Sequence, residues 1–217
     1  MTLPEIQNLV RQGETDTLEF KTKANHPEKI VKEMVAFANT KGGQLLVGVN
    51  DQGEIMGLAA ADEELYTLEN AIRKYCFPKI SYRYEIIPVS TKKAIIIYTI
   101  FESELKPHYT LIDLPENQRK GYIRVADRSV QASREMKEIL RRERRKAAVQ
   151  FTYGEKEKVL MKYLEKHDFI TLKSFAKLAG IKPYLASCTL ITLVLAKVLQ
   201  ITPREDEDWY RFNTMSV

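Results

Sequence analysis

The chain has only two cysteines, and it shows neither a secretion signal nor a long apolar run. Cys76 and Cys188 are too few for a disulfide framework and lack the spacing of zinc ligands, so we expect two packed thiols. The apolar segment from Leu190 to Leu199 is shorter than the roughly 20 residues that cross a bilayer. The first residues lack the basic and apolar regions of a signal peptide, which predicts a cytoplasmic protein without a membrane partner.

The composition is that of a globular protein with a basic balance. With 217 residues, 44% of them hydrophobic, the chain can bury one good core and a smaller second one, which predicts two domains. The net charge of +5 permits binding to nucleic acid or another polyanion. Many soluble proteins are equally basic, so the charge raises this possibility without deciding it.

Strand and helix signals alternate in the first part of the chain, which predicts an α+β fold with a mixed sheet and flanking helices. A short strand from Leu18 to Lys21 precedes Pro27, which suits the first turn of a helix running to about Thr40. Gly42 can take the left-handed conformation that ends helices. The other predicted elements are strands at 44–49, 54–57, 80–89, 94–101 and 121–125, and helices over 65–72 and from Ser133 to Leu140.

The last of these helices runs into a basic segment, 141–146, with five cations and one carboxylate. One interpretation is a phosphate-binding stripe, and the other, at least as common for charge runs, is a solvated helix leading to a linker. The aromatic and glycine residues that follow, Phe151, Tyr153 and Gly154, indicate a change of domain. We therefore predict a first domain at 1–148, ending in the basic helix, and a second at 149–217.

The second part of the chain shows three helical patterns and a terminal hairpin. Apolar residues recur at helical spacing from Val159 to Leu164, Thr171 can cap the next helix, and Pro183 can begin the third. Two short strands, 198–202 and 209–212, then form the predicted hairpin. This order resembles a small winged-helix domain.

Four segments of the first part carry a family resemblance. They are Glu14 to Lys21, Phe37 to Gly43, Gly48 to Gly53, and Lys106 to Tyr109 together with Tyr122 to Val125. In this order they resemble the Schlafen AlbA-type DNA-binding family, which is found in bacterial proteins described as transcriptional regulators. The resemblance covers about the first 140 residues and implies an α+β domain that binds nucleic acid.

The resemblance also implies a possible metal-dependent endoribonuclease. Glu14, Glu19 and Asp51 match the three carboxylates of animal Schlafen ribonucleases, which would bind Mg²⁺ or Mn²⁺, and Lys21 would meet a phosphate. Two glutamates five residues apart on one strand point to opposite faces, so Glu14 and Glu19 converge only if residues 13–17 form a turn. The alternative is a surface pair of Glu19 and Lys21.

An older description of the family as ATPases is not supported by the residues at 39–43, which lack the phosphate-binding loop that wraps ATP phosphates. We therefore do not expect ATP hydrolysis, and nucleotide binding at another kind of site stays open. His108, beside Lys106 and Tyr109, could contact phosphate or act as an acid. A single loop histidine is more often structural.

The second domain offers two ways of binding nucleic acid. In a winged helix the third helix enters the major groove, and its exposed candidates here are Lys182, Tyr184, Ser187, Thr189 and Thr192. The hairpin turn at 204–208 carries four carboxylates, which would repel phosphate. The alternative is a dimerisation module with nucleic-acid contact on the basic helix, through Lys137, Arg141, Arg142, Arg144, Arg145 and Lys146.

Taken together, these patterns predict a homodimeric nucleic-acid-binding protein, with a DNA-binding transcriptional regulator as the first hypothesis. DNA and RNA are both open as partners. The alternatives are the metal-dependent endoribonuclease, a dimeric protein-interaction adaptor and a nucleotide-binding protein.

Overall fold

The computed structural model of the protein describes residues 1–111, 119–145 and 151–213. Backbone contacts divide the chain into two compact units, Met1–Val130 and Gln131–Val217. This division lies before the basic helix, whereas the sequence placed the domain boundary after it. The difference arises because Ile139 of that helix packs into the hydrophobic core of the second unit.

The first unit is an α+β domain, as predicted. Its helices are α1 (Leu3–Val10), α2 (Pro27–Asn39) and α3 (Ala61–Tyr75). Its strands are β1 (Leu18–Lys21), β2 (Gly43–Val47), β3 (Cys76–Phe77), β4 (Tyr82–Ser90), β5 (Lys93–Ile100), β6 (Tyr109–Thr110), β7 (Tyr122–Val125) and β8 (Arg128–Gln131). The predicted α2, α3 and β4–β5 hairpin are confirmed, whereas α1, β3, β6 and β8 were not anticipated.

Four strands form a mixed sheet in the order β1-β2-β5-β4. β1 and β2 are parallel, and the other pairs are antiparallel. The central strand β5 is apolar on both faces because each face is covered. Ile96 and Tyr98 pack into the core formed with α2 and α3, and Ile95 and Ile97 pack into the core that includes Ile6 of α1.

Two smaller antiparallel pairs, β3–β6 and β7–β8, complete the first unit. β7 packs along α2. This contact places the polar residues of β7 beside those of α2 and β1.

The second unit contains four helices and a hairpin. They are α4 (Arg134–Glu143), α5 (Glu155–Leu164), α6 (Leu172–Leu178), α7 (Pro183–Leu195), β9 (Leu199–Thr202) and β10 (Trp209–Phe212). The last two are antiparallel, so the predicted order of three helices and a hairpin is present after α4. α7 lies at the centre, with Ala186, Leu190 and Leu193 fully buried.

Among the described residues, no single helix is long and apolar enough to cross a membrane. The pair α6 and α7, bent by 113°, satisfies the length and composition requirement only when taken together. Both cysteines are free thiols, and burial raises the pKa of Cys76 to about 12.

Candidate functional site

Polar groups of several segments of the first unit meet at Arg124 in β7. Its side chain is fully buried, and its Nη1 donates hydrogen bonds to Glu19 Oε2 at 2.8 Å and to Glu33 Oε2 at 3.0 Å. Its Nη2 donates to the Thr15 carbonyl at 2.7 Å. One guanidinium group therefore joins β7, β1, α2 and the segment before β1.

Each of the two glutamates has a further hydrogen-bond donor. Lys21 Nζ donates to Glu19 Oε1, and Ser129 Oγ donates to Glu33 Oε2. Lys21 Nζ also donates to the Phe20 carbonyl at 2.8 Å. We call Glu19, Lys21, Glu33, Arg124 and Ser129 the Arg124 cluster. Its charges are largely removed from water and neutralised by one another.

The turn that the nuclease hypothesis required is present before β1. Gly13 has a φ of 72°, and the Thr15 amide donates to the Leu18 carbonyl at 3.0 Å. The chain therefore reverses direction here, and Glu14 Oε1 accepts a hydrogen bond from the Phe20 amide at 2.9 Å. Glu14 thus lies beside β1.

The three candidate carboxylates interact electrostatically but do not form a metal site. Burial raises the pKa of Glu14, and the negative charges of Glu19 and Asp51 raise it further. In the part of the chain that the structure describes, no group of three His, Cys, Asp or Glu residues is arranged to hold a metal ion. Glu19 is instead bonded to Arg124 and Lys21.

His108 has the structural role that was the commoner expectation. Its ring is buried, with Nδ1 donating to the Pro78 carbonyl at 2.9 Å, which leaves Nε2 to accept from Ser103 Oγ at 2.7 Å. Burial lowers the pKa of His108, which favours the neutral ring. Asn39 fixes the backbone beside it: its amide donates to the His108 and Tyr122 carbonyls at 2.9 Å, and its oxygen accepts from the His108 amide.

The segment at 39–43 ends α2 and packs it against β5. Thr40 Oγ1 donates to the Ala36 carbonyl at 2.7 Å and accepts from the Arg124 amide at 3.0 Å. Gly42 has a φ of 76°, and a Cβ atom there would lie 2.7 Å from the Ile100 carbonyl oxygen. Glycine is therefore required by backbone conformation and close packing, as the simpler interpretation held.

In the second unit, the start of α4 is fixed by a buried carboxylate. Ser133 caps the helix by accepting a hydrogen bond from the Met136 amide at 3.0 Å, as predicted. The same hydroxyl donates to Asp208 Oδ2. Burial raises the pKa of Asp208, which lies just before β10. This hydrogen bond ties α4 to the hairpin.

The inward face of α4 makes further contacts with the second unit. Glu135 accepts a hydrogen bond from Ser187 Oγ at 2.7 Å, and Glu143 pairs with Lys197 at 3.2 Å. Between them, Ile139 is buried in the core. These three residues are spaced four apart and so lie on one side of the helix. Glu135 is thereby engaged against α7, and Glu143 is paired at the surface of the unit.

The opposite side of α4 is cationic and faces solvent. We call the cations of this side and of the two residues after the helix the basic face of α4: Arg134, Lys137, Arg141, Arg142, Arg144 and Arg145. Arg134, Lys137, Arg141 and Arg145, at spacings of three and four residues, form a stripe.

The basic face is only partly neutralised. Arg141 and Arg142 share the carboxylate of Glu138 and remain 48% and 45% exposed. Arg144 and Arg145 are exposed, and Lys137 is half-buried. The last predicted member, Lys146, lies outside the described residues.

The structure changes the expected binding face of α7. Lys182 and Tyr184 are exposed, as predicted, and Tyr184 is 70% exposed. The prediction that Thr189 is exposed is wrong, since it is buried. Ser187 is bonded to α4, and the Thr192 hydroxyl is bonded within α7. Because α4 packs on α7, only the first turn of α7 offers polar groups freely.

The acidic hairpin turn is partly neutralised within the second unit. Glu207 forms an ion pair with Lys173, and Asp208 is buried against Ser133. Glu205 and Asp206 remain exposed. The turn still presents negative charge to solvent, which opposes phosphate contact.

Arg124, Glu33 and Asn39 were not recognised as site residues from the sequence. A usable signal existed, because Arg124 interrupts an apolar strand and Asn39 ends an apolar helix. Charged and amide groups in such positions are buried only with partners. Their partners lie far away in the chain, so the pattern alone did not identify them.

The first unit is thus an α+β domain whose motif residues build a buried polar cluster. Residues 14–133 match the family model described as Schlafen, AlbA_2, and this range includes all four segments. Because the match covers more than half of the chain, the protein belongs to the Schlafen, AlbA_2 family.

One solved structure with detectable similarity is an NMR structure from Nitrosomonas europaea, the N-terminal domain of a protein described as related to the ATP-dependent DNA helicase RecG. The match covers 57% of this chain and 88% of that one, with 18% identity and a TM-score of 0.41. The comparison with curated proteins gave no significant match.

Proposed function

We propose that the protein binds nucleic acid through the basic face of α4 and acts as a DNA-binding transcriptional regulator. The observation that carries this proposal is the separation of charge on α4. Glu135 is bonded to Ser187 of α7 and Glu143 pairs with Lys197 at the surface of the second unit, whereas the arginines face solvent. The surface of the helix therefore carries more cations than carboxylates.

The geometry of the basic face suits a phosphate backbone. Its stripe of cations advances by about 5 Å for each helical turn, so several can meet successive phosphates. Arginine and lysine that neutralise phosphates release condensed counterions, which gives affinity without sequence selectivity. The Ser133–Asp208 hydrogen bond orients the helix before any ligand arrives, so little ordering is needed at binding.

The second unit supports the regulatory part of the proposal. Three helices followed by a hairpin is the order of a winged helix, a common DNA-binding arrangement. Here α4 packs on α7 and bonds to Ser187, one of the residues expected to contact the groove, so we assign the main contact to α4. The Schlafen AlbA-type resemblance of the first unit also favours nucleic acid as the partner.

A binding titration of the full chain tests this proposal. Labelled duplex DNA and a structured RNA would be titrated by fluorescence anisotropy at several salt concentrations. We expect a plot of the logarithm of the binding constant against the logarithm of the salt concentration to have a slope of about −0.9 for each contacted phosphate. Absence of binding to both probes at low salt would contradict the proposal and favour the adaptor alternative.

Homodimerisation is part of the proposal, and one feature of the sheet supports it. β4 is an edge strand, and Tyr84 and Ile86 on it are 46% and 36% exposed. An exposed edge with apolar side chains can pair with a second copy. Sedimentation equilibrium should show a dimer for the wild type and a monomer for Ile86→Lys. A monomeric wild type would contradict the proposed homodimer.

The ribonuclease alternative can be tested without disturbing the Arg124 cluster. Asp51 is exposed, so Asp51→Asn should leave the fold intact. Structured RNA would be incubated with Mg²⁺ or Mn²⁺ and either protein. If the wild type cleaves the RNA and Asp51→Asn does not, the ribonuclease hypothesis is supported. The role implied by the resemblance is the one evident role of Asp51.

A further inference from the structure

The small antiparallel pair β3–β6 of the first unit carries two aromatic residues on one face. Phe77 of β3 lies directly opposite Tyr109 of β6. Directly opposed residues of an antiparallel ladder project to the same face, so the two rings are neighbours. The alternate residues, Cys76 and Thr110, are buried. One face of the pair is therefore packed against the fold, and the other carries the rings.

A cation lies directly over the ring of Phe77. The guanidinium carbon of Arg119 is 4.5 Å from the ring centroid. The backbone beside Arg119 is fixed, because Lys120 and Thr110 exchange hydrogen bonds at 2.8 and 3.4 Å. Phe77 is still 45% exposed, so part of its ring remains available to solvent. Aromatic rings and guanidinium planes are the two side-chain groups on which unpaired bases stack.

The chain around Phe77 is cationic. Residues 70–84 contain no carboxylate and four cations, Arg73, Lys74, Lys79 and Arg83. All four are exposed, and so is Lys120 beside β6. This charge complements phosphates, which exposed aromatic rings alone would not attract.

An exposed ring beside cations suits a single strand better than a duplex. In a duplex the faces of the bases are covered by their neighbours, and a ring on a sheet face cannot reach them. In a single strand a base can leave its neighbours and stack on the ring, while the cations follow the phosphates.

We infer that this face of the β3–β6 pair binds single-stranded nucleic acid, with a base stacked on Phe77 beside Arg119 and phosphates along the flanking cations. The surface lies in the first unit and does not depend on the basic face of α4. DNA and RNA single strands share the chemistry that it recognises, namely phosphates and base faces.

Anisotropy titrations of the full chain test this inference with three probes of one sequence, about 12 nucleotides long: single-stranded DNA, single-stranded RNA and duplex DNA. Phe77→Ala should weaken binding of at least one single strand about five-fold or more. Phe77→Tyr should retain that binding, because the ring makes the contact. Duplex binding should be unchanged by either substitution.

Phe101 provides a matched control, since it is the same residue type, is 46% exposed and is followed by Glu102 instead of a cation. Phe101→Ala should leave all three titrations unchanged, and thermal melting should show that each variant is folded. Equal weakening by Phe77→Ala and Phe101→Ala would contradict the inference, and so would a wild type that binds neither single strand.

Photochemical crosslinking locates the contact directly. Single strands that contain iodouracil would be irradiated with the full chain, and the crosslinked peptides would be identified by mass spectrometry. We expect crosslinks to a peptide that contains Phe77 or Tyr109. Crosslinks confined to the second unit would overturn the inference and leave the proposed function in place. Crosslinks at Phe77, together with binding of every probe that is indifferent to Arg141→Glu with Arg145→Glu, would support the inference and contradict the proposed contact on α4.

Discussion

The protein contains two concentrations of arginine and glutamate that differ mainly in their access to water. In the Arg124 cluster, the guanidinium group is fully buried and bonded to Glu19 and Glu33. On the basic face of α4, Arg141 and Arg142 keep nearly half of their exposure and share Glu138. The same side-chain chemistry thus serves the fold in one unit and is available to a ligand in the other.

The difference has an energetic basis. Removing a charge from water costs several kcal/mol, so a buried arginine is tolerated only with close partners. Loss of one partner leaves the other charges buried and unpaired. Exposed pairs contribute about 0–1 kcal/mol because water and salt screen them. Substitutions in the Arg124 cluster should therefore change stability, and substitutions on α4 should change binding.

The largest expected effect is on the stability of the first unit. Arg124→Ala leaves Glu19 and Glu33 buried without their main cation, and we expect a loss of about 3–5 kcal/mol in the free energy of unfolding. Chemical denaturation followed by circular dichroism measures it. Arg128→Ala, at an exposed position on β8, is the control and should cost about 0.5 kcal/mol or less. A similarly small loss for Arg124→Ala would show that the buried arginine contributes no more to stability than the exposed one.

The next effect is on binding by the second unit. Arg141→Glu with Arg145→Glu should weaken nucleic-acid binding about ten-fold or more at low salt and reduce the salt dependence by about one unit for each lost phosphate contact. Unfolding should change little. Lys162→Glu with Lys166→Glu, exposed on and just after α5, makes the same change in charge elsewhere. Equal weakening by both pairs would indicate general attraction rather than a site on α4.

A smaller effect separates a simple helix cap from a cap that also holds the hairpin. Ser133→Ala removes the cap of α4 and leaves Asp208 without its hydroxyl donor, which should cost about 2 kcal/mol. Thr171→Ala removes the cap at Ser174 of α6 together with the contacts of the same hydroxyl with Ser174 Oγ and Glu207, none of which involves a buried carboxylate, and should cost about 1 kcal/mol. Thermal and chemical unfolding would compare them, and equal losses would show that Asp208 does not depend on Ser133.

The smallest effect concerns Glu14 and pH. Because burial raises the pKa of Glu14 in the folded state, its ionised form destabilises the fold at neutral pH and its protonation on acidification relieves that penalty. Glu14→Gln keeps an acceptor for the Phe20 amide, so its melting temperature should be slightly higher than wild type at about pH 7. The gap should shrink as pH falls through the pKa of Glu14. A gap independent of pH would point to another cause.

Local patterns in the sequence were sufficient for much of the fold. The apolar periodicity of α2, the turn between β4 and β5 and the caps Ser133 and Thr171 all depend on residues close in the chain. The Arg124 cluster depends on pairing across the fold, which no local pattern specifies. The error at Thr189 has the same origin, because helical spacing shows which residues share a face but not which faces the rest of the fold covers.

The hydrogen bond from Arg124 to the Thr15 carbonyl spans 109 residues of chain. During synthesis, β1 and α2 leave the ribosome long before β7. Glu19 and Glu33 are therefore made before the arginine that neutralises them. Contacts of such long sequence separation form late and slow folding. A fragment of this protein that ends before β7 should therefore fail as an expression target even though it retains the whole four-stranded sheet.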